Sequence, residues 1–123
     1  MGSLLIVDDS RATLSQMAVL FRTFGQEVAV ADSGAKAIKA LVSGRFDLVL
    51  MDVLMPGMDG IEALQKIRSS ADPKIATIPV VMHSIARDRR IVERAMSAGA
   101  QDFIFKGTAT EELWRRLEKY LAA

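Results

Sequence analysis

The chain has 123 residues, half of them hydrophobic and a quarter charged, with a formal net charge of +1; this is ordinary globular composition with no bulk attraction for nucleic acid or a membrane surface. It contains no cysteine, which excludes disulfides, thiol catalysis and cysteine-bound metal, and fits a cytoplasmic setting. No apolar run approaches the roughly 20 residues of a membrane span, and Leu4 to Val7 is too short for the core of a signal peptide.

At this length one domain is expected over residues 1–123. Leu4 to Val7 reads as a short buried strand ending in Asp8-Asp9. Ser10 or Asp9 can cap the next helix, which gathers Leu14, Met17, Ala18 and Phe21 on one face and stops at Gly25. Glu27 to Ala31 is a second strand, and Asp32-Ser33-Gly34 caps a helix carrying Ala37, Ile38, Leu41 and Val42, closed by Gly44. Leu48 to Met51 is a third strand that stops abruptly at Asp52. The turn-rich Met55-Pro56-Gly57-Met58-Asp59-Gly60 follows, then a helix from about Gly60 to Ser69 with Ile61, Leu64 and Ile67 inward.

Ala71 to Ile78 is a polar loop. Pro79 opens the strand Val80 to His83, which ends at Ser84, and a helix from about Arg87 to Ala98 closes at Gly99. Asp102 to Phe105 is the last strand and ends at Lys106. Thr108 and Glu111 have capping-box spacing, and Leu113, Leu117 and Leu121 form the seam of the final helix.

Strands alternating with helices imply an α/β fold, a doubly wound parallel sheet with helices on both faces. Five such units suit the flavodoxin-like strand order 2-1-3-4-5. In that order strands one, three, four and five are neighbours, so Asp8, Asp9, Asp52, Ser84 and Lys106 converge on one rim. Three crowded carboxylates repel unless a cation sits among them. Hard oxygen ligands on loops suit Mg²⁺, with Asp9 and Asp52 binding directly, Asp8 through water, and a backbone carbonyl near Leu54. Carboxylates act as nucleophiles in forming aspartyl phosphates, so Asp52 is the expected phosphoacceptor. Lys106 supplies positive charge for phosphoryl oxygens and Ser84 a hydroxyl donor.

Each residue also has a plainer reading. Asp8-Asp9 alone is a common helix cap, Lys106 a structural partner for a carboxylate, and Ser84 a strand terminator. Phe103 and Phe105 share a strand side and form an apolar patch or pack on the last helix. His83 and Trp114 read as core, and a lone histidine gives poor support for zinc. Arg87, Arg89, Arg90 and Arg94 form a solvated face or a docking surface, with Glu93, Glu111 and Glu112 nearby.

The whole chain resembles the receiver domain of two-component response regulators, in its single-domain, chemotaxis-regulator-like form. The matching residues are Asp8-Asp9, Asp52 with Met55-Pro56-Gly57-Met58-Asp59-Gly60, Ser84 and Lys106. The resemblance implies that Asp52 takes a phosphoryl group from the phosphohistidine of a histidine kinase or histidine phosphotransfer protein, with Mg²⁺ required. It implies that Ser84 moves toward that group and Phe103 turns inward. The face of the fourth helix, fifth strand and fifth helix is then remodelled for a downstream protein target, with no direct nucleic acid contact; the same face offers a homodimer surface. Such a chain is a switch that promotes its own phosphorylation and slow dephosphorylation, and is no conventional turnover enzyme.

Two departures from the family pattern stand out. Gly107 follows Lys106 where the family usually has proline, which suggests a looser loop. Ile85 is bulky where a small residue is usual, which narrows access to Asp52. Leu54 and Ala86 also lack polar groups to orient an attacking water, so slow loss of the phosphoryl group is expected. The departures motivate an alternative, a phosphorylation-independent pseudo-receiver that works as an interaction or dimerisation module. A flavin-binding protein on the same sheet order lacks the expected phosphate loop after strand one. An aspartate-based phosphatase lacks a second aspartate two residues after Asp52.

Overall fold

A computed structural model describes residues 2–121. Its sheet contains β1 (Ser3–Val7), β2 (Glu27–Ala31), β3 (Leu48–Met51), β4 (Val80–Ser84) and β5 (Asp102–Phe105), all parallel, in the order β2-β1-β3-β4-β5. The helices are α1 (Arg11–Thr23), α2 (Gly34–Ser43), α3 (Gly60–Arg68), α4 (Pro73–Ala76), α5 (Arg89–Ser97) and α6 (Thr110–Leu121). The doubly wound, flavodoxin-like architecture read from the sequence is the one observed.

Side chains alternate across a strand, and that alternation divides the core in two. Leu5, Val7, Val49, Met51, Val80, Met82 and Phe103 face α2, α3 and α5, where Ala37, Leu41, Ile61, Leu64 and Ala95 meet them. Leu4, Ile6, Leu48, Leu50, Val81 and Ile104 face α1 and α6 and meet Leu14, Phe21, Leu113, Leu117 and Leu121. Trp114 stacks on Phe24 at a centroid distance of 4.6 Å against this second cluster. Among the described residues no helix is long and apolar enough to cross a membrane.

Several local expectations shift, each for a physical reason. The polar stretch after α3 contains the single turn α4, started by Pro73 behind the cap Asp72, whose carboxylate accepts from the Lys74 amide. The predicted fourth and fifth helices are therefore α5 and α6. Helix α5 starts two residues later than Arg87, because the Asp88 carboxylate accepts from the Arg90 amide and makes Asp88 the cap. Thr108 is not a cap: its hydroxyl donates back to the Phe105 carbonyl, and α6 begins at Thr110. Val42 points to solvent, 73% exposed, so the apolar stripe of α2 is narrower than its spacing suggested.

Arg68, unremarked in the sequence, is the main strut at the far end of the sheet. Its guanidinium donates to the carbonyls of Ala76, Ile78 and Gly99 and to the Gln101 amide oxygen, joining α3, α4 and the turn before β5.

Candidate functional site

The rim at the carboxyl end of the sheet is built by extending the ladder one residue past each strand. The Asp8 amide donates to the Ala31 carbonyl at 3.1 Å, the Asp52 amide to Val7 at 2.9 Å, and the Lys106 amide to Ser84 at 2.8 Å. The α1–α6 side of the alternation runs Leu4, Ile6, then Asp8; Leu48, Leu50, then Asp52; Ile104, then Lys106. Three charged side chains from three strands therefore arrive on one side of the sheet, immediately above apolar core.

They meet there. The Lys106 ammonium lies 2.7 Å from Asp8 Oδ2 and 3.4 Å from Asp52 Oδ2. Asp8 Oδ1 accepts from the Ser10 amide, so this carboxylate is held at both oxygens. Asp52 is bonded at Oδ2 to Lys106, while its Oδ1 is buried and has no well-formed hydrogen bond, the Leu54 amide exerting only a weak pull on the carboxylate. A buried acceptor left unpaired costs free energy. Carboxylate oxygens of Asp8, Asp9 and Asp52 all lie within 4.8 Å of one another, with Asp9 exposed. Oxygen-only donors at that spacing fit a small hard divalent cation.

Electrostatics follows the geometry. Burial, then the charge of Asp8, pushes the Asp52 carboxyl above its usual range, against the pull of Lys106. Burial pulls Lys106 down, but its bond to Asp8 and the charges of Asp52 and Asp8 outweigh this, so its affinity for the proton is raised. His83, buried on β4, is pushed down to about 4 by burial and then by the Lys106 charge, and is neutral at pH 7. A core histidine is its role here.

The remaining nominated residues stand around this centre rather than in it. Ser84 is fully buried; alternation carries it to the side of Val80 and Met82, and its Oγ accepts from the Ala86 amide at 3.2 Å. Phe103 is 7% exposed, packed edge-on against Phe105 at 5.7 Å. Leu54 lies in the loop beyond Asp52, 48% exposed, and Ile85 beyond Ser84, 67% exposed; an Ile85 so far out in solvent does not pack over Asp52.

Gly107 does not loosen the lysine. Its φ of +95° is the left-handed conformation that the third residue of a type II turn needs, and the Thr108 amide closes that turn on the Phe105 carbonyl at 3.2 Å. A proline, fixed near −65°, has no place in this turn. Sequence reasoning treated Gly107 as a lost restraint because it compared residue types, whereas the restraint has moved into turn hydrogen bonds. It also missed Gly60, which the Gly after the cap Asp59 could have flagged: a Cβ there would lie 2.0 Å from the Asp52 carbonyl oxygen.

Comparison with known proteins agrees with this geometry. The response regulator receiver domain family matches residues 4–118. The chain is 35% identical over 113 residues to sensor protein GacS of Pseudomonas syringae pv. syringae, covering 89% of this chain and 12% of that protein. It is 31% identical over 118 residues to the DNA-binding response regulator MtrA of Mycolicibacterium paratuberculosis, covering 96% of this chain and 50% of that one. The chain thus spans half or less of the length of these curated relatives. Chemotaxis protein CheY4 of Vibrio cholerae superimposes with a TM-score of 0.90 at 26% identity, covering 98% of this chain and 99% of that one. Fold, rim and relatives agree: the chain belongs to the response regulator receiver domain family of two-component signalling.

Proposed function

We propose that Asp52 is the phosphoacceptor of this receiver domain, and that Oδ1 is the attacking atom. The single observation that carries the reading is that Oδ1 is buried without a well-formed hydrogen bond while Oδ2 faces the Lys106 ammonium. A lone pair on Oδ1 attacks the phosphorus of a phosphohistidine; the P–N bond breaks and its electron pair returns to the imidazole of the donor, leaving an acyl phosphate on residue 52. Lys106, a fixed cation already placed between Asp8 and Asp52, turns to the phosphoryl oxygens as they gain charge. Asp9 and Asp52, Asp8 through water, and the backbone carbonyl of Leu54 would hold Mg²⁺. When bound, that ion supplies neutralisation of the crowded carboxylates and orientation of the phosphoryl group.

The acyl phosphate carries about −1.5 to −2 charges where the carboxylate carried about −1, and adds three strong acceptor oxygens; that change is the driver of any downstream response. Ser84 exchanges its bond from the Ala86 amide for one to a phosphoryl oxygen, and the face of α5, β5 and α6 changes for a protein target. The donor is a histidine kinase or histidine phosphotransfer protein. The test is labelling with radioactive acetyl phosphate, with and without Mg²⁺. Label on the wild-type chain that needs Mg²⁺ and disappears in Asp52→Asn is the expected result. No label under any condition would favour the pseudo-receiver that acts through its surface without phosphorylation.

A further inference from the structure

Arg87 lies on the loop between β4 and α5, exposed, with its guanidinium carbon 4.6 Å from the centroid of the Phe105 ring. Nearby arginines behave differently: Arg89 stands 3.7 Å from Glu93 and Arg90 3.7 Å from Asp88. Arg87 has an acid one residue away in Asp88, yet among the described residues it forms no ion pair. Its cation rests on an aromatic face instead, an attraction set by the ring quadrupole.

The ring beneath it is not isolated. Phe105 meets Phe103 edge to face at 5.7 Å and 61°, the favourable arrangement for two aromatics. Phe105 is also the register partner of Ser84, so the loop that carries Arg87 leaves the sheet beside the ring it covers. Arg87, Phe105 and Phe103 thus form one stack running from the β4–α5 loop into the core. Phe103, at its inner end, is 7% exposed.

We propose that Arg87 is a positioning residue: by covering Phe105 it braces Phe103 in the buried posture before any phosphoryl group arrives. The inward aromatic that the family resemblance attaches to the phosphorylated state is then already held by a charge three residues beyond Ser84. This rests on reading Phe103 as the switch aromatic, but its test needs no phosphorylation, so failure to label Asp52 would leave it standing. Conversely, Asp52 can label normally while this idea fails.

The experiment uses the full chain with 4-fluorophenylalanine at its 5 phenylalanines, the Phe103 fluorine resonance being assigned with Phe103→Leu. Wild type should show a Phe103 signal dominated by a solvent-shielded form. Arg87→Ala, and Arg87→Met, which keeps an apolar stem without charge, should raise the ratio of solvent-shifted to shielded signal about two- to five-fold, the scale of an exposed cation–ring contact. Arg87→Lys should restore part of the shielding. An Arg87→Ala spectrum that superimposes on wild type would overturn the proposal, as would an Arg87→Met spectrum unchanged from wild type. Melting temperature is the control, since loss of an exposed arginine should leave it nearly unmoved.

Discussion

Gly60 sits so close to Asp52 that a Cβ on it would lie 2.0 Å from the Asp52 carbonyl oxygen and 3.0 Å from the Met82 methyl. The Gly60 amide also donates to the Val53 carbonyl at 2.8 Å. The start of α3 is thereby pressed against the peptide that carries Asp52. Backbone is the obstacle, and backbone does not swing aside as a flexible side chain does.

Gly60→Ala should therefore lower stability by about 1–3 kcal/mol or more, the range of overpacking in a filled core. A fall in the urea midpoint with little change in slope is the expected signature. The same variant should displace Asp52 and lower its rate of labelling. A midpoint equal to wild type would show that this approach is not tight.

Two buried rim groups should pull the pH profile in opposite directions. His83 has its folded value lowered from 6.5 to about 4, chiefly by burial. Between those values the unfolded chain binds a proton that the folded chain refuses, so stability falls as pH drops from 6.5 to 4, by about 3 kcal/mol at most. Asp52 has its folded value raised above 3.8, so the folded chain takes the proton first, and the penalty of its buried charge is relieved on acidification. With a chelator present, His83→Leu should lose much of the acid-side fall, and Asp52→Asn should be more stable than wild type at pH 7 and fall more steeply below 6.5. Urea midpoints at several pH values read both. A His83→Leu profile parallel to wild type would contradict the assignment.

An acyl phosphate at Asp52 should be lost slowly. Leu54, half exposed just beyond Asp52, and Ala86 offer no polar side-chain atom to orient an attacking water. Leu54→Asn, which adds an amide at that place, should speed loss of the phosphoryl group several-fold with little effect on stability. Label decaying within seconds in the wild-type chain would contradict this prediction.

Much of the fold was legible because it depends on local patterning. Short apolar runs at Leu4–Val7 and Leu48–Met51, each ending at an acid, marked strands buried on both faces, and the handedness of crossovers left few strand orders open. The same runs carried Asp8 and Asp52 to one rim, and the strand ending at Lys106 carried the cation there. What stayed illegible depends on contacts across the chain. Arg68 reaches carbonyls up to 31 residues away, the Gly60 approach needs the path of α3, and the Gly107 turn needs a φ value. Val42 and Thr108 misled because helical spacing and capping spacing each have a second use, one on a solvent face and one in a turn.

The central claim concerns which residue becomes phosphorylated, and one measurement reaches it directly. The chain is treated with acetyl phosphate and Mg²⁺, reduced with borohydride, which converts an aspartyl phosphate to homoserine, and mapped by peptide mass spectrometry. The account predicts homoserine at position 52 and nowhere else, and none when Mg²⁺ is removed by chelation. Conversion at Asp8 or Asp9 in place of Asp52, or no conversion at all in the folded wild-type chain, would contradict it.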